Sequence, residues 1–132
     1  MKHYFHGMAA LPIFALLALL PGGAQADMTK SIYMNTAYCQ GVAESYASRL
    51  GDAGSNHRAE ARHAVQVAGK LESRGDSMAM RLHYSDSEGD VARRRGARTM
   101  DGLLPSGGAW ANGGDVPIAA IRQYQQCVSI VE

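Results

Sequence analysis

The stretch Thr29-Lys30-Ser31-Ile32-Tyr33-Met34-Asn35-Thr36-Ala37-Tyr38-Cys39-Gln40-Gly41-Val42-Ala43-Glu44-Ser45-Tyr46-Ala47-Ser48-Arg49-Leu50 decides the fold class. Ile32, Cys39, Ala43, Tyr46 and Leu50 recur at steps of three, four or seven, a spacing that gathers them on one face of an α-helix. Thr29 or Ser31 is a candidate N-cap, and Gly51 stands where a left-handed C-terminal residue is wanted. Gly41 lies mid-helix between Ala37 and Ser45. A glycine there costs about 1 kcal/mol against alanine, so this stripe of small residues is expected to admit a close helix–helix approach.

Downstream the same period returns. Ser55 or Asn56 opens a second helix to about Arg74, with Ala61, Ala64, Ala68 and Leu71 on its buried face, Val65 widening it and Gly75 as its stop. Met78 to Tyr84 alternates like a strand, but Asp76 is a good helix cap and a lone strand has nothing to pair with, so a short helix is expected. Val91–Leu104 reads as helix, with Ala92, Gly96, Thr99 and Leu103 inward, followed by a glycine-rich loop from Pro105 to Gly114. Asp115 and Pro117 start a final helix that buries Ile121, Tyr124, Val128 and Val131, with Cys127 at the border. The expected architecture is all-α, a small bundle of four to five helices.

Upstream, Lys2 precedes the apolar run Met8–Leu20, which Pro21-Gly22-Gly23 breaks before the small–x–small triplet Ala24-Gln25-Ala26. This is the pattern of a cleaved secretory signal, 1–26, leaving one helical domain over 27–132. The run is too short for a spanning helix, which needs about 20 apolar residues. No Cys follows the cut site, so a lipoprotein is not expected, and the layout suits a bacterial periplasm or secretion. Processing also settles the charge. The whole chain has 13 Lys/Arg and 12 Asp/Glu, and loss of Lys2 leaves 12 of each. Such a chain has no global pull on nucleic acid or anionic lipid. Both Phe5 and Phe14 leave with the signal, so the core must be built from aliphatic residues and five tyrosines.

Cys39 and Cys127 are the only cysteines and lie near opposite ends of the processed chain. In an oxidising compartment they are expected to pair. Closing a loop of about 90 residues contributes about 4–5 kcal/mol in the chain-entropy view. Redox pairs sit closer together in sequence, and two thiolates alone make a poor metal site.

Four sets of residues carry candidate chemistry. His57 and His63 are six apart, so on one helix they diverge by about 120° and do not share a metal, which leaves them as ordinary polar residues of a surface helix. Met78, Met80 and His83 are weak candidates for a soft metal such as copper. Arg93, Arg94, Arg95 and Arg98 form the strongest charge cluster, just after Asp86, Glu88 and Asp90. They fit either a solvated helix face or docking of an acidic surface. Trp110, flanked by glycines, either folds back on a helix or stands out as a contact residue. No nucleophile elbow, zinc-protease motif or phosphate loop is present, so neither an enzyme nor a cofactor is expected.

The layout of signal, cysteine in the first helix and cysteine in the last is similar to that of periplasmic immunity proteins that block cell-wall amidases delivered by type VI secretion. The similarity rests on that layout and on no motif. The expected function is protein–protein binding by an exported envelope protein of inhibitor, immunity-type or chaperone-like character. Its contact residues would be Arg93, Arg94, Arg95, Arg98 and Trp110, and its partner another envelope protein. The alternative is a small-ligand or copper-binding protein that uses the Met/His cluster or a cavity between helices.

Overall fold

The computed structural model describes residues 22–132, so most of the expected signal segment, residues 1–21, lies outside the described residues. Four helices carry the fold: α1 Gly22–Asp52, α2 Arg58–Leu82, α3 Asp86–Leu103 and α4 Ile118–Val128. Two single 3-10 turns, Ser55–His57 and Ala109–Asn112, interrupt the connections. Helix α1 is the spine. It packs along α3 on one side and α2 on the other, and touches α4 near Cys39.

The core follows the periodicity of α1. Val42, Ala43, Tyr46 and Leu50 are buried against Ala64, Val67 and Leu71 of α2, then against Met100, Leu104, Trp110, Ala120 and Tyr124. Cys39 and Cys127 are bonded, with Cα atoms 5.1 Å apart, so α4 is stapled to the middle of α1. Hydrophobic burial here is thin in aromatic mass, and the covalent tie adds stability that a small core cannot supply alone.

The stripe Ala37–Gly41–Ser45 does admit a close approach. A Cβ on Gly41 would collide with the Arg93 carbonyl and lie 2.9 Å from the Ala97 nitrogen, and one on Gly96 would collide with the Tyr38 carbonyl. Glycines on both helices thus let α1 and α3 meet backbone to backbone. Polar ties lock the far end of that contact. The Ser45 hydroxyl donates to Asp101, Arg49 Nε donates to the same carboxylate at 3.2 Å, and Arg49 also donates to Ser106.

Several expected details give way to tertiary packing. Gly75 does not stop α2. The helix continues to Leu82 and ends on His83, whose φ of 56° takes the left-handed C-cap role. The expected short helix at 78–84 is therefore the end of α2, and the described residues form four α-helices. Gly75 faces Thr36 of α1 with room to spare, so packing on both sides outweighs its poor propensity. At the other end of the α1–α2 connection the left-handed residue is Gly54, not Gly51. Helix α1 begins at Gly22, and Thr29, expected as a cap, instead donates to the Gln25 carbonyl one turn back. The caps expected from Asp76 and Asp115 are absent too, since residue 76 is mid-helix and Pro117 precedes α4. Ile32 and Val65, placed inward by period, are 50% and 62% exposed because no neighbouring helix covers those faces. On α3 the inward residue is Met100 and not Thr99, and Ile121 of α4 stays partly exposed.

Candidate functional site

Helix α3 carries the arginine cluster on a backbone held rigid by its contact with α1. The four guanidinium groups diverge. Arg93 turns toward Glu44 of α1 at 3.6 Å, and Arg95 lies over the Tyr38 ring at 5.9 Å from its centroid, a cation–π distance. Arg94 and Arg98, one turn apart, are exposed, and among the described residues neither has an ion-pair partner. Val91, half exposed, continues the same outward face one turn before Arg94. The cluster is thus split into two anchored cations and two free ones.

Trp110 does not join that surface. The indole is 5% exposed, its Nε1–H donates to the Pro105 carbonyl at 3.2 Å, and its ring lies 6.2 Å from that of His57. Of its two expected roles, folding back is the one the structure displays. His57 completes the arrangement by donating from Nε2 to the Trp110 carbonyl at 3.2 Å, which requires the Nε2–H tautomer. The loop expected from Pro105 to Gly114 is therefore a packed lid over the bottom of the core. His57, expected on a surface helix, is instead buried in the 3-10 turn before α2.

The methionine–histidine set is not brought together. Met78 is buried toward the core, whereas Met80, two residues on and across the helix, is 77% exposed. His83 is exposed at the end of α2. Among the described residues no group of three or more His, Cys, Asp or Glu side chains is placed to hold a metal ion.

Two arrangements were invisible to motif reading. The first is a relay at the chain's end. The Tyr124 hydroxyl donates to His63 Nδ1 at 2.7 Å, and His63 Nε2–H donates to Glu132 at 3.1 Å. Lys70 reaches the same carboxylate at 3.3 Å and holds it below the usual carboxylate range, with His63 adding to the effect. Tyr124 stacks on Tyr46 at 4.2 Å, and burial pushes the Tyr46 phenol up to about 12 and the Tyr124 phenol higher still. A phenol held neutral donates a hydrogen bond but makes a poor nucleophile. The relay borders a 420 Å³ pocket between α2 and α4 that Ile121 and Glu60 also line. Its evident work is to pin the final residues to α2, where Arg74 also donates to the Ile130 carbonyl at 2.8 Å.

The second arrangement is a 270 Å³ cleft between α1, α2 and α3, lined by Tyr33, Gln40, Glu72, Asp76, Asp86, Asp90 and Arg93. No single helix announces it. Glu72 and Asp76 are one turn apart on α2, and Asp86 and Asp90 one turn apart on α3. Only the packing of three helices sets the two pairs around one opening.

The chain matches no protein-family model, and no curated protein or solved structure matches it.

Proposed function

We propose that this protein is an exported, disulfide-locked helical binding module that docks an acidic surface of another envelope protein through the outer face of α3. Its role would be of inhibitor, immunity-type or chaperone-like character. The observation that carries this reading is the Arg94–Arg98 pair, exposed, one turn apart and without a carboxylate partner among the described residues. Guanidinium groups suit such docking because each presents a planar fork of donors that matches a carboxylate. Rigidity supports it as well. The backbone contact at Gly41 and Gly96 fixes the platform before a partner arrives, so little ordering remains to oppose binding. Trp110 acts only by bracing the loop at the base of the core.

Export is supported by the N-terminal sequence and by the disulfide, which fits an extracellular or periplasmic setting. Among the described residues no helix is long and apolar enough to cross a membrane.

The test has two parts. Expressed with its N-terminal segment in a bacterial host, the protein should be recovered from the periplasmic fraction with an intact mass that begins at Asp27. A partner captured there by the oxidised protein and identified by mass spectrometry should then bind the Arg94→Glu/Arg98→Glu variant at least about tenfold more weakly. Unchanged affinity in a folded double variant removes the proposed surface.

A further inference from the structure

We propose that the protein forms a symmetric dimer in solution, in which the flank of α2 that carries Val65 and Gly69 packs antiparallel against the same flank of a second copy. This face lies on the other side of α1 from α3, so the dimer leaves Arg94 and Arg98 open in both copies.

The apolar part of the surface is the first argument. Val65 is 62% exposed and stands with Gly69 on a 500 Å³ groove between α1 and α2, which Ala47, Ser48 and Ala68 also line. Gly69 is itself exposed, and a Cβ added there meets nothing within 4 Å. No contact within the chain accounts for this glycine, which is a poor helix former in the middle of a helix. A close approach from outside does account for it, because bare backbone at position 69 is a hollow that a neighbouring valine fills.

Charge then names the occupant. Arg58, Arg62, Glu72 and Asp76 fall with Val65 and Gly69 within about 80° around the axis of α2. Their order is self-complementary. Arg62 lies three residues before Val65 and Glu72 three after Gly69, and Arg58 and Asp76 each lie four residues further out. A second α2, turned end over end about the midpoint between Val65 and Gly69, sets Val65 on the partner's Gly69. The same turn sets Arg62 against the partner's Glu72 and Arg58 against the partner's Asp76. Each contact occurs twice, as a two-fold axis requires. Parallel pairing would instead place arginine on arginine at one end and carboxylate on carboxylate at the other.

These four charges are also uncommitted. All are exposed, and none has an ion-pair partner among the described residues. Within one chain their placement is unfavourable. Arg58/Arg62 and Glu72/Asp76 are like charges one turn apart, and Arg58 begins α2 at the positive end of its dipole. The antiparallel pair sets an opposite charge against each of them. Such ion pairs fix register and orientation more than affinity, and the apolar patch between them is small, so the dimer belongs to the weak, reversible class.

Sedimentation velocity of the oxidised protein from about 1 to about 500 μM tests this. A monomer–dimer equilibrium is expected in about 50 mM NaCl with Kd of about 1–100 μM, weakened at least about fivefold in about 500 mM NaCl. Arg62→Glu and Glu72→Arg should each self-associate at least about tenfold more weakly, since each variant sets like charges against each other twice. An equimolar mixture of the two should recover to within about threefold of the parent, because in the mixed dimer every charge again meets its opposite. A general loss of stability cannot mimic that rescue. Gly69→Gln, which fills the hollow and suits a helix, should be monomeric with an unchanged or raised Tm. The Arg94→Glu/Arg98→Glu variant should dimerise as the parent does, and circular dichroism and melting confirm that each variant is folded. A parent that stays monomeric at about 500 μM in the low-salt buffer overturns the proposal. So does undiminished association of either charge reversal or of Gly69→Gln, or a mixture that associates no better than its components. Loss of the dimer in Arg94→Glu/Arg98→Glu also overturns it, because the self-contact would then lie on α3.

Discussion

Gly41 on α1 and Arg93 on α3 meet backbone to backbone: the Arg93 carbonyl fills the volume that a Cβ at position 41 would need. Substitution Gly41→Ala must push the two longest-packed helices apart or deform one of them. Overpacking of this kind costs about 1–3 kcal/mol, and Gly96→Ala should match it. For a domain of this size each kcal/mol lowers Tm by about 4–8 °C, so thermal melts of the two variants should fall well below the parent.

Other helical glycines should behave oppositely. A Cβ at Gly69 meets nothing within 4 Å, and at Gly75 it meets only Thr36 at 3.9 Å. Gly69→Ala is expected to stabilise α2 by about 0.5–1 kcal/mol, read as a raised Tm. Gly75→Ala should do the same while narrowing the acidic cleft. The contrast with Gly41 separates glycines kept for contact from glycines kept for space.

Opening the Cys39–Cys127 bond should have the largest single effect. The bonded residues are 88 apart in sequence, and releasing that loop costs about 4–5 kcal/mol. Melts with and without reductant, or of the Cys39→Ala/Cys127→Ala variant, should show a Tm loss of tens of degrees (by the same conversion of about 4–8 °C per kcal/mol).

Alkaline unfolding should track the buried phenols. Tyr46 is raised to about 12 by burial, and Tyr124 is raised further. A raised acid favours the folded state fully below its unfolded value near 10, and the benefit drains away as pH climbs through the folded value. Stability should therefore fall between about pH 10 and 12, with tyrosinate absorbance rising together with loss of helix. A Tyr46→Phe variant should shift this transition upward.

Acid should release the chain's end first. Glu132 is held below the usual carboxylate range by Lys70 and then His63, so its contribution is present above the ordinary carboxylate value and is lost as pH falls through the lowered one. Amide exchange at Ile130 to Glu132 should accelerate in that acidic window, and Glu132→Gln should show the fast exchange already at neutral pH.

The fold was legible wherever one helix could report on itself. Cys39, Ala43, Tyr46 and Leu50 lie inward as their spacing requires, and the small stripe around Gly41 marks the close approach. What failed depended on neighbours. Ile32 and Val65 obey the period yet face solvent, because amphipathic spacing names a face and not its cover. Gly75 looked like punctuation, yet α2 passes through it with residues packed on either side. The candidate sites divide the same way. The arginine cluster is contiguous and easy to find, though its division into anchored and free members needs Glu44 and Tyr38 from another helix. Tyr33 and the four acids of the cleft come from three helices, and the Tyr124–His63–Glu132 relay from distant parts of the chain, so no local pattern encodes either.

The tie between Cys39 and Cys127 also governs what happens when the chain is cut. The exposed Pro105–Gly107 turn and the exposed Gly54–Asn56 connector both fall inside the covalent ring. A protease that nicks either one yields two pieces still joined through sulfur and still held by the same core. Unless a reductant is also present, a single cleavage there should leave one particle in solution with its helices in place, so tolerance of a nick is built into where the two sulfurs sit.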